Sequence, residues 1–257
     1  MADKTEKPQT KRQVPAVTRA IAILRLLAKS PDPVGVNPIA RSLGLVPSTC
    51  LHILRVLQDE GLVDFDTETK RYSIGVGILP LARSALQNNS FSTLVQPRLS
   101  ELSNRFGVTG IATQLMEPAQ MVVVALSQSS LPFRLQVDFG SRFPPLISAT
   151  GRLFAAYNGL DKDQLRKEFN KLTWDHPPLF ETWLEEVETA KSQGYGVDLG
   201  NYISGVTVVA VPVFGSNGKM IRSLVAIGIS ERLPGEEIPA LTKAMIEIRD
   251  EIQDLQI

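Results

Sequence analysis

Cysteine and histidine are scarce in this chain of 257 residues, which contains one Cys and two His. A single cysteine excludes a disulfide within the chain and a zinc site built on several cysteines. Two histidines leave few of the imidazole ligands that transition metals commonly use in proteins. The composition therefore predicts a reduced protein without a metal site or another cofactor.

Long apolar runs are also absent from the sequence. No segment approaches the roughly 20 consecutive apolar residues that a membrane-spanning helix needs. The polar N-terminus lacks the apolar stretch of a secretory signal peptide. We therefore expect a cytoplasmic protein with no membrane partner, and a disordered tail over residues 1–13, where no hydrophobic periodicity is present.

The chain has no net charge, because 27 Lys and Arg balance 27 Asp and Glu. The charges are unevenly distributed: residues 1–90 contain 12 basic and 8 acidic side chains, and residues 91–257 contain 15 and 19. This asymmetry indicates that the two parts have different functions, and the basic part is the better candidate for contact with nucleic-acid phosphates. Because a small excess of one charge can also arise by chance, a motif is needed to decide whether the basic part binds nucleic acid.

The apolar pattern of the basic part predicts three helices. Apolar residues at spacings of three and four indicate a first amphipathic helix: Val17, Ala20, Ile21, Leu24, Leu27 and Ala28. Asn37 and Pro38 suit the N-cap and first position of a short second helix, which Gly44 ends. Pro47 begins a third helix, which Gly61 ends. Its predicted buried stripe is Cys50, Ile53, Leu54 and Leu57.

Two short strands, 62–65 and 71–74, follow the third helix and are joined by a polar turn. The order of helix, helix, tight turn, helix and hairpin builds a winged helix-turn-helix. The exposed face of the third helix would then carry Ser48, Thr49, His52 and Arg55. Short hydroxyls near a helix N-terminus, followed by longer donors, suit DNA phosphates and groove edges.

The acidic part predicts a second domain of mixed helices and strands. A helical segment over 76–106, broken at Pro80 and 88–90, suggests a linker helix (77–90) between domains 14–76 and 91–257. The expected strands are 121–126, 133–137, 206–214 and 220–229, the last two joined by a turn. The expected helices are 148–158, 161–172, 181–193 and 236–255. This mixture predicts an α+β fold with a largely antiparallel sheet.

Several short motifs follow one another along the chain in a characteristic order. They are Ala16-Val17-Thr18-Arg19-Ala20, Ile39-Ala40, Gly44-Leu45, Ser48-Thr49, Arg71-Tyr72-Ser73-Ile74-Gly75, Gly140-Ser141-Arg142 with Pro144, Gly151, Gly194-Tyr195, Gly205 and Ala210-Val211-Pro212-Val213-Phe214. Their joint spacing resembles the isocitrate lyase regulator (IclR) family of bacterial transcription factors, from Ala16 to the C-terminal helix. The resemblance implies a winged helix-turn-helix followed by a GAF-like α/β effector-binding domain.

The resemblance also implies partners and a DNA-contacting set. The family is commonly dimeric or tetrameric and binds palindromic double-stranded DNA operators. The candidate DNA-contacting residues are Arg19, Pro47, Ser48, Thr49, His52, Arg55, Lys70 and Arg71. Three positions depart from the family's usual residues: His52 replaces an arginine, Arg152 replaces a lysine and Asn201 replaces an acidic residue.

Plain alternatives remain for some of these residues. His52 is either a DNA contact, which we favour, or an exposed histidine without a role. Lys70 and Arg71 either hold phosphate as the wing or make a turn soluble. Cys50, on the buried stripe, suits core packing better than redox sensing.

By the same resemblance, the effector-binding positions are Ala149, Thr150, Asp198, Val208, Gly228 and Ser230. Val208 and Gly228 lack the donors that relatives binding small carboxylates offer, so we expect a roomy apolar pocket for an aromatic or medium-sized organic acid. Asp198 would repel a carboxylate unless water or an amide mediates. The alternative is that these residues only pack within a sheet.

The sequence gives little support to an enzyme. No serine lies in a G-x-S-x-G elbow, and Gly75 and Gly77 are followed by Pro80 where a dinucleotide loop needs glycine. His176 is the only histidine outside the helix-turn-helix. We therefore expect a non-enzymatic regulator of a catabolic or metabolic operon. The alternative is a stand-alone metabolite-binding or enzymatic domain whose helix-turn-helix contacts protein.

Overall fold

A computed structural model describes residues 14–87, 90–116, 119–128, 135 and 137–254. The predicted disordered tail, residues 1–13, lies outside this described part, as do residues 88–89 of the predicted helix break. The chain divides into two compact units, residues 1–88 and 89–257, and each unit has its own core.

The first unit is a small helical core with a three-stranded sheet. Its helices are α1 (Pro15–Lys29), α2 (Val36–Ser42), α3 (Pro47–Asp59) and α4 (Ile78–Gln87). Its strands are β1 (Val34–Gly35), β2 (Val63–Asp66) and β3 (Arg71–Ile74), antiparallel in the order β1-β3-β2. The predicted winged helix-turn-helix is confirmed, with β1 as a strand that the sequence pattern did not predict.

The buried face of α1 differs from the predicted one. Ile23 and Leu27 are buried, whereas Val17, Ile21 and Ala28 are exposed, so the predicted stripe was wrong at these three positions. The cause is that α1 contacts α3 and β3 through the face that carries Ile23 and Leu27, and Ile23 was not among the predicted apolar positions.

The turn between α2 and α3 is set by backbone conformation. α2 begins at Val36 with Gly35 at its N-cap position, because Gly35 is still paired in β1; the predicted N-cap at Asn37 was wrong. After α2, Gly44 has φ of 62°, which glycine adopts without a steric cost. Half-buried Leu45 packs against the core of this unit.

The third helix follows its prediction closely. α3 starts at Pro47 and ends at Asp59, and it buries Cys50, Leu54 and Leu57 while Ile53 is half-buried. Burial raises the pKa of the Cys50 thiol, which keeps the thiol neutral. The side chain therefore behaves as a small apolar core residue.

The second unit is built on a six-stranded antiparallel sheet, in the order β6-β5-β4-β9-β8-β7. Its strands are β4 (Thr109–Met116), β5 (Gln120–Leu126), β6 (Arg142–Phe143), β7 (Gly196–Leu199), β8 (Val206–Phe214) and β9 (Met220–Ile229). Its helices are α5 (Ser90–Phe106), α6 (Ser148–Tyr157), α7 (Lys162–Phe169), α8 (Phe180–Gln193) and α9 (Ile238–Asp254). The predicted α+β class is confirmed.

Some strands of this sheet differ from the predicted set. β4, β6 and β7 were not predicted. Of the predicted strand 133–137, Leu135 and Val137 are described and lie outside any strand, and the other residues lie outside the described part. None of the helices in the described ranges is long and apolar enough to cross a membrane.

The sheet of the second unit separates two apolar cores. One core lies between one face of the sheet and α6, α7 and α8. The other core lies between the opposite face of the sheet and α5 and α9. Because both faces are covered, β8 is an almost continuous apolar run rather than an alternating one. The candidate cavity described below lies on the α6 side.

Candidate functional site

The exposed face of α3 presents polar side chains in one row. Ser48, His52 and Arg55 are exposed and lie at spacings of four and three residues, which places them on one side of the helix. Thr49 beside them is half-buried. This face lies opposite the buried stripe, as the sequence predicts, and exposed Pro47 occupies the first turn.

The start of α3 is suited to an anion. Val46 at the N-cap position offers no side-chain cap, so backbone N–H groups of the first turn have no side-chain acceptor there. The exposed hydroxyl of Ser48 lies in the same turn. Amide dipoles and hydroxyls together attract a phosphate oxygen.

The hairpin of β2 and β3 with its turn at residues 67–70 is the wing, and a carboxylate holds its turn together. Asp66 Oδ1 accepts the backbone N–H groups of Glu68 at 2.8 Å and Thr69 at 3.2 Å, and Oδ2 accepts the Thr69 hydroxyl at 2.6 Å. The Thr69 hydroxyl, helped by these amides, lowers the pKa of Asp66 below its ordinary value. The wing tip therefore carries a firmly ionised carboxylate, with Glu68 beside it.

The two basic side chains of the wing contact their own unit. Lys70 Nζ lies 5.8 Å from the centre of the Phe65 ring, and Arg71 Nη1 donates to the Pro33 carbonyl at 3.4 Å. Both residues are exposed, as is Arg19 on α1. Both alternatives predicted for Lys70 and Arg71, a phosphate contact and a soluble turn, fit side chains that are exposed in this way.

A cavity of about 290 Å³ lies in the second unit between the sheet and the start of α6. Strand residues form most of its apolar wall: Ile111, Val123, Val206, Val208, Val225 and Ile227. Residues from loops and short elements complete that wall: Leu135, Val137, Phe143, Ile147 and Ile203. The polar lining is Ser141, Arg142, Ser148, Thr150 and Tyr202.

Ser148 is the unusual residue of this wall. It is 6% exposed, and its Oγ has no hydrogen-bond partner within the described part of the chain. Its φ of 58° is a left-handed conformation that a serine rarely adopts. Such strain costs on the order of 1–3 kcal/mol and is typical of ligand sites. Ser148 begins α6, so the positive end of that helix faces the same region.

Two of the six predicted effector-binding residues, Thr150 and Val208, line the cavity. Val208 pairs with Ile227 across the β8–β9 ladder, and both face the cavity. Gly228 pairs with Thr207 on the opposite face, and a Cβ there would lie 3.1 Å from Leu233 Cδ2. The prediction that Gly228 enlarges the cavity was therefore wrong, because side chains alternate along a strand.

The other three predicted residues do not line this cavity. The Ser230 hydroxyl hydrogen-bonds the Thr207 hydroxyl at 2.9 Å, so it is already paired. Ala149 is buried in the core, and its carbonyl is packed against Gly196. Asp198 is buried and paired with Arg152, with 3.3 Å between Oδ2 and Nη1. The prediction that Asp198 lies in the pocket, where it would repel a carboxylate unless water or an amide mediates, was therefore wrong.

The sequence interpretation missed Ser148, Tyr202 and Ile203. Ser148 adjoins Ala149 and Thr150 and starts a predicted helix, so helix-terminus chemistry could have identified it. Tyr202 and Ile203 follow β7 in a loop without periodicity, and the sequence gives no signal for them. His176, the histidine outside the first unit, is exposed, and its Nδ1 lies 3.1 Å from the Gly200 carbonyl oxygen.

Comparison with known proteins gives two family matches along the chain. Residues 16–67 match the IclR helix-turn-helix domain, and residues 83–254 match the family described as bacterial transcriptional regulator IclR C-terminal. The glycerol operon regulatory protein of Streptomyces coelicolor is 28% identical over 240 residues, covering 91% of this chain and 93% of that protein.

Solved structures agree with these matches. An IclR transcriptional regulator from Alicyclobacillus acidocaldarius has a TM-score of 0.83 at 27% identity, covering 93% of this chain and 98% of that one. An IclR homologue from Microbacterium hydrocarbonoxydans, solved in complex with 4-hydroxybenzoate, has the same fold, with a TM-score of 0.74 at 16% identity, covering 93% and 99%.

The matched models cover well over half of the chain, and they agree with the winged helix-turn-helix and the α+β unit seen in the structure. The matches are to DNA-binding transcriptional regulators rather than to enzymes. This chain therefore belongs to the IclR family of bacterial transcriptional regulators.

Proposed function

We propose that this regulator binds a palindromic operator as a homodimer or homotetramer and that an aromatic organic acid in the second unit's cavity changes its operator affinity. It would act in the cytoplasm on a catabolic or metabolic operon. The observation that carries the effector proposal is the largely apolar cavity with Ser148 in its wall at the start of α6, a residue whose Oγ has no hydrogen-bond partner among the described residues.

The wall favours a ring over a small acid. Burial of apolar surface contributes roughly 25 cal/mol per Å², so a ring covering Val208, Ile227 and Phe143 gains more than a two-carbon acid can. The cavity's volume of about 290 Å³ is at the lower end of the roughly 300–1,000 Å³ of small-molecule sites. A single aromatic ring fits both observations.

The polar residues of the cavity lining favour an acid group on that ring. The Ser148 hydroxyl can donate to a carboxylate, and the first amides of α6 add their dipole. Arg142 also lines the cavity and supplies a cation. The 4-hydroxybenzoate of the Microbacterium homologue supports this ligand class, since it is one ring with one carboxylate.

The operator proposal rests on α3. We assign phosphate contact to Ser48 and Thr49 at the helix start, with Pro47 fixing that start, and base-edge contact to His52 and Arg55. Arg19 on α1 is a further exposed cation of this unit. The length of α3, 13 residues, suits the major groove.

A titration of operator DNA tests the proposal. Duplex from upstream of this gene is labelled, and its binding is followed by fluorescence anisotropy at fixed salt with and without 4-hydroxybenzoate. We expect binding tighter than to a scrambled duplex and a change in affinity of at least about fivefold with the acid. Equal binding to both duplexes would refute operator recognition, and no change across a panel of aromatic acids would refute the effector proposal.

A further inference from the structure

A buried guanidinium joins four segments next to the cavity. Arg152 lies on α6, one turn after Ser148, and is 2% exposed. Its Nη1 donates to the Ser148 carbonyl at 3.0 Å and lies 3.3 Å from Asp198 Oδ2. Its Nη2 donates to Asn201 Oδ1 at 3.0 Å, and its Nε donates to Glu186 Oε2 on α8 at 2.8 Å.

The carboxylate of Asp198 divides its two oxygens between this cation and the backbone. While Oδ2 faces Arg152, Oδ1 accepts the backbone N–H groups of Asn201 at 2.9 Å and Tyr202 at 3.3 Å. The Asn201 amide in turn donates to the His176 carbonyl at 3.2 Å. Each charged group of the pair is therefore used to hold the segment that follows β7.

That segment, residues 200–205, forms part of the cavity wall and is called the 200–205 loop below. Tyr202 and Ile203 line the cavity, whereas neither Arg152 nor Asp198 does. Gly200 and Gly205 bound the loop with φ of 83° and 74°. Glycine adopts positive φ without a steric cost, so neither end of the loop imposes one backbone conformation.

The loop is instead held by hydrogen bonds from outside it: the N–H groups of Asp175 and His176 donate to the Tyr202 and Asn201 carbonyls, and Asp175 accepts the Ser204 N–H. The Arg152–Asp198 pair adds the bonds to Asn201 and Tyr202 that join the loop to α6.

We propose that Arg152 and Asp198 are positioning residues of the effector site: they fix the 200–205 loop, and with it Tyr202 and Ile203, against the start of α6. A buried ion pair adds little stability compared with apolar packing, and its clearer use is to specify one geometry. The link to ligand affinity rests on the proposed function, whereas the fixing of the loop does not.

The geometry distinguishes arginine from lysine at this position. The planar fork of Arg152 reaches a carbonyl, two carboxylates and the Asn201 amide in different directions. A lysine ammonium has three donors on one atom and cannot span the same set. Arg152→Lys therefore keeps the buried charge but loses part of the hold on the loop.

The experiment compares Asp198→Asn and Arg152→Lys with wild type in the full chain. Glu186→Gln is the matched control, because Glu186 is bonded to Arg152 from α8 and keeps an acceptor oxygen after substitution. Two quantities are measured: hydrogen–deuterium exchange of the 200–205 amides without ligand, and the Kd for 4-hydroxybenzoate by calorimetry. Circular dichroism confirms that each variant is folded, and the second variant serves if the first fails to fold.

We expect exchange in the 200–205 loop to rise about tenfold in Asp198→Asn and Arg152→Lys, and the Kd to rise at least about fivefold, with Glu186→Gln within about twofold of wild type. Unchanged loop exchange in the folded variants would overturn the positioning role. Faster exchange with an unchanged Kd would overturn the coupling to the site. If wild type binds no 4-hydroxybenzoate, the ligand proposal fails while loop exchange still decides the positioning role.

Discussion

At the scale of single residues, Ser148 concentrates two local costs in one place. Its left-handed backbone is strained, and its buried hydroxyl has no hydrogen-bond partner in the part of the chain that the structure describes. An unpaired buried hydroxyl costs about 1–3 kcal/mol. Both costs are expected for a residue that binds a carboxylate, because the strained backbone holds the side chain in place and the bound acid would accept a hydrogen bond from the hydroxyl.

Substitution of Ser148 separates the two costs. Ser148→Gly relieves the strain and should raise the free energy of unfolding by about 1 kcal/mol, because glycine adopts positive φ freely. The same change should weaken 4-hydroxybenzoate binding, since the hydroxyl is lost. Ser148→Ala, the control, also removes the hydroxyl but keeps the strain, so it should weaken binding equally and have a free energy of unfolding about 1 kcal/mol below that of Ser148→Gly. Urea unfolding and calorimetry measure both effects, and undiminished binding in both variants would contradict the role of Ser148.

A second prediction at this scale concerns the exposed face of α3. Arg55→Ala should weaken operator binding by about 1–3 kcal/mol, and Ser48→Ala should weaken it less, because a charged fork contributes more than a hydroxyl. Neither change should alter the unfolding transition, since both side chains are exposed. Lys29→Ala, which removes an exposed cation at the end of α1, is the control. Anisotropy at matched salt measures the effect, and wild-type affinity for either variant would exclude that residue.

At the scale of elements, α3 and the wing differ in charge. α3 carries Arg55 and His52 on its exposed face, whereas the wing tip carries Asp66 and Glu68 beside Lys70. The two carboxylates offset Lys70 and the adjacent Arg71, so the tip has no net positive charge to release counterions from DNA. The operator affinity should therefore come mainly from α3.

Lys70→Gln tests this division between elements. The substitution removes the charge but keeps a polar side chain, and we expect operator affinity to fall by less than about 0.5 kcal/mol, with little change in its dependence on salt. The effect is compared with Arg55→Ala in the same titration series. A loss as large as that of Arg55→Ala, or a salt slope reduced by about one, would show that the wing binds phosphate.

The elements also show how far the sequence determines fold and site. Periodicity predicts α3 and its stripe because Cys50, Leu54 and Leu57 all face one core. It fails for α1, where the contacted face depends on how the helix rotates against α3 and β3. Periodicity also fails to predict on which face of the sheet Gly228 lies. The face is decided by strand register, and the register of β9 is set by its pairing with β8.

At the scale of the whole molecule, two units with different surfaces share one chain. The first unit leaves apolar side chains exposed on and beside α4: Val76, Leu79 and Leu81. Leu79 and Leu81 are two residues apart in α4 and so leave apolar surface on different sides of this helix, which is typical of an interaction site. A palindromic operator needs two copies of α3, so a second copy of this chain is the partner that we assign to α4.

Leu79→Glu combined with Leu81→Glu tests that assignment. These side chains are 65% and 62% exposed, so the change should not unfold the unit, but it should break self-association. We expect wild type to be a dimer or tetramer and the double variant to have a lower mass by light scattering at micromolar concentration. Leu199→Glu, at an exposed position in the second unit, is the control. A wild-type monomer, or an unchanged mass in the double variant, would contradict the assignment.

Binding of an aromatic acid in the cavity beside Ser148 is measured by a thermal-shift panel. 4-Hydroxybenzoate, benzoate, glyoxylate and pyruvate are compared on wild type and on Val208→Trp, in which the indole fills the cavity opposite Ile227. Because bound ligand stabilises the folded state by mass action, the account predicts a higher Tm with the aromatic acids than with the oxo-acids, and no shift in Val208→Trp, which should still bind operator. Larger shifts with glyoxylate or pyruvate, or a full aromatic shift in Val208→Trp, would contradict it.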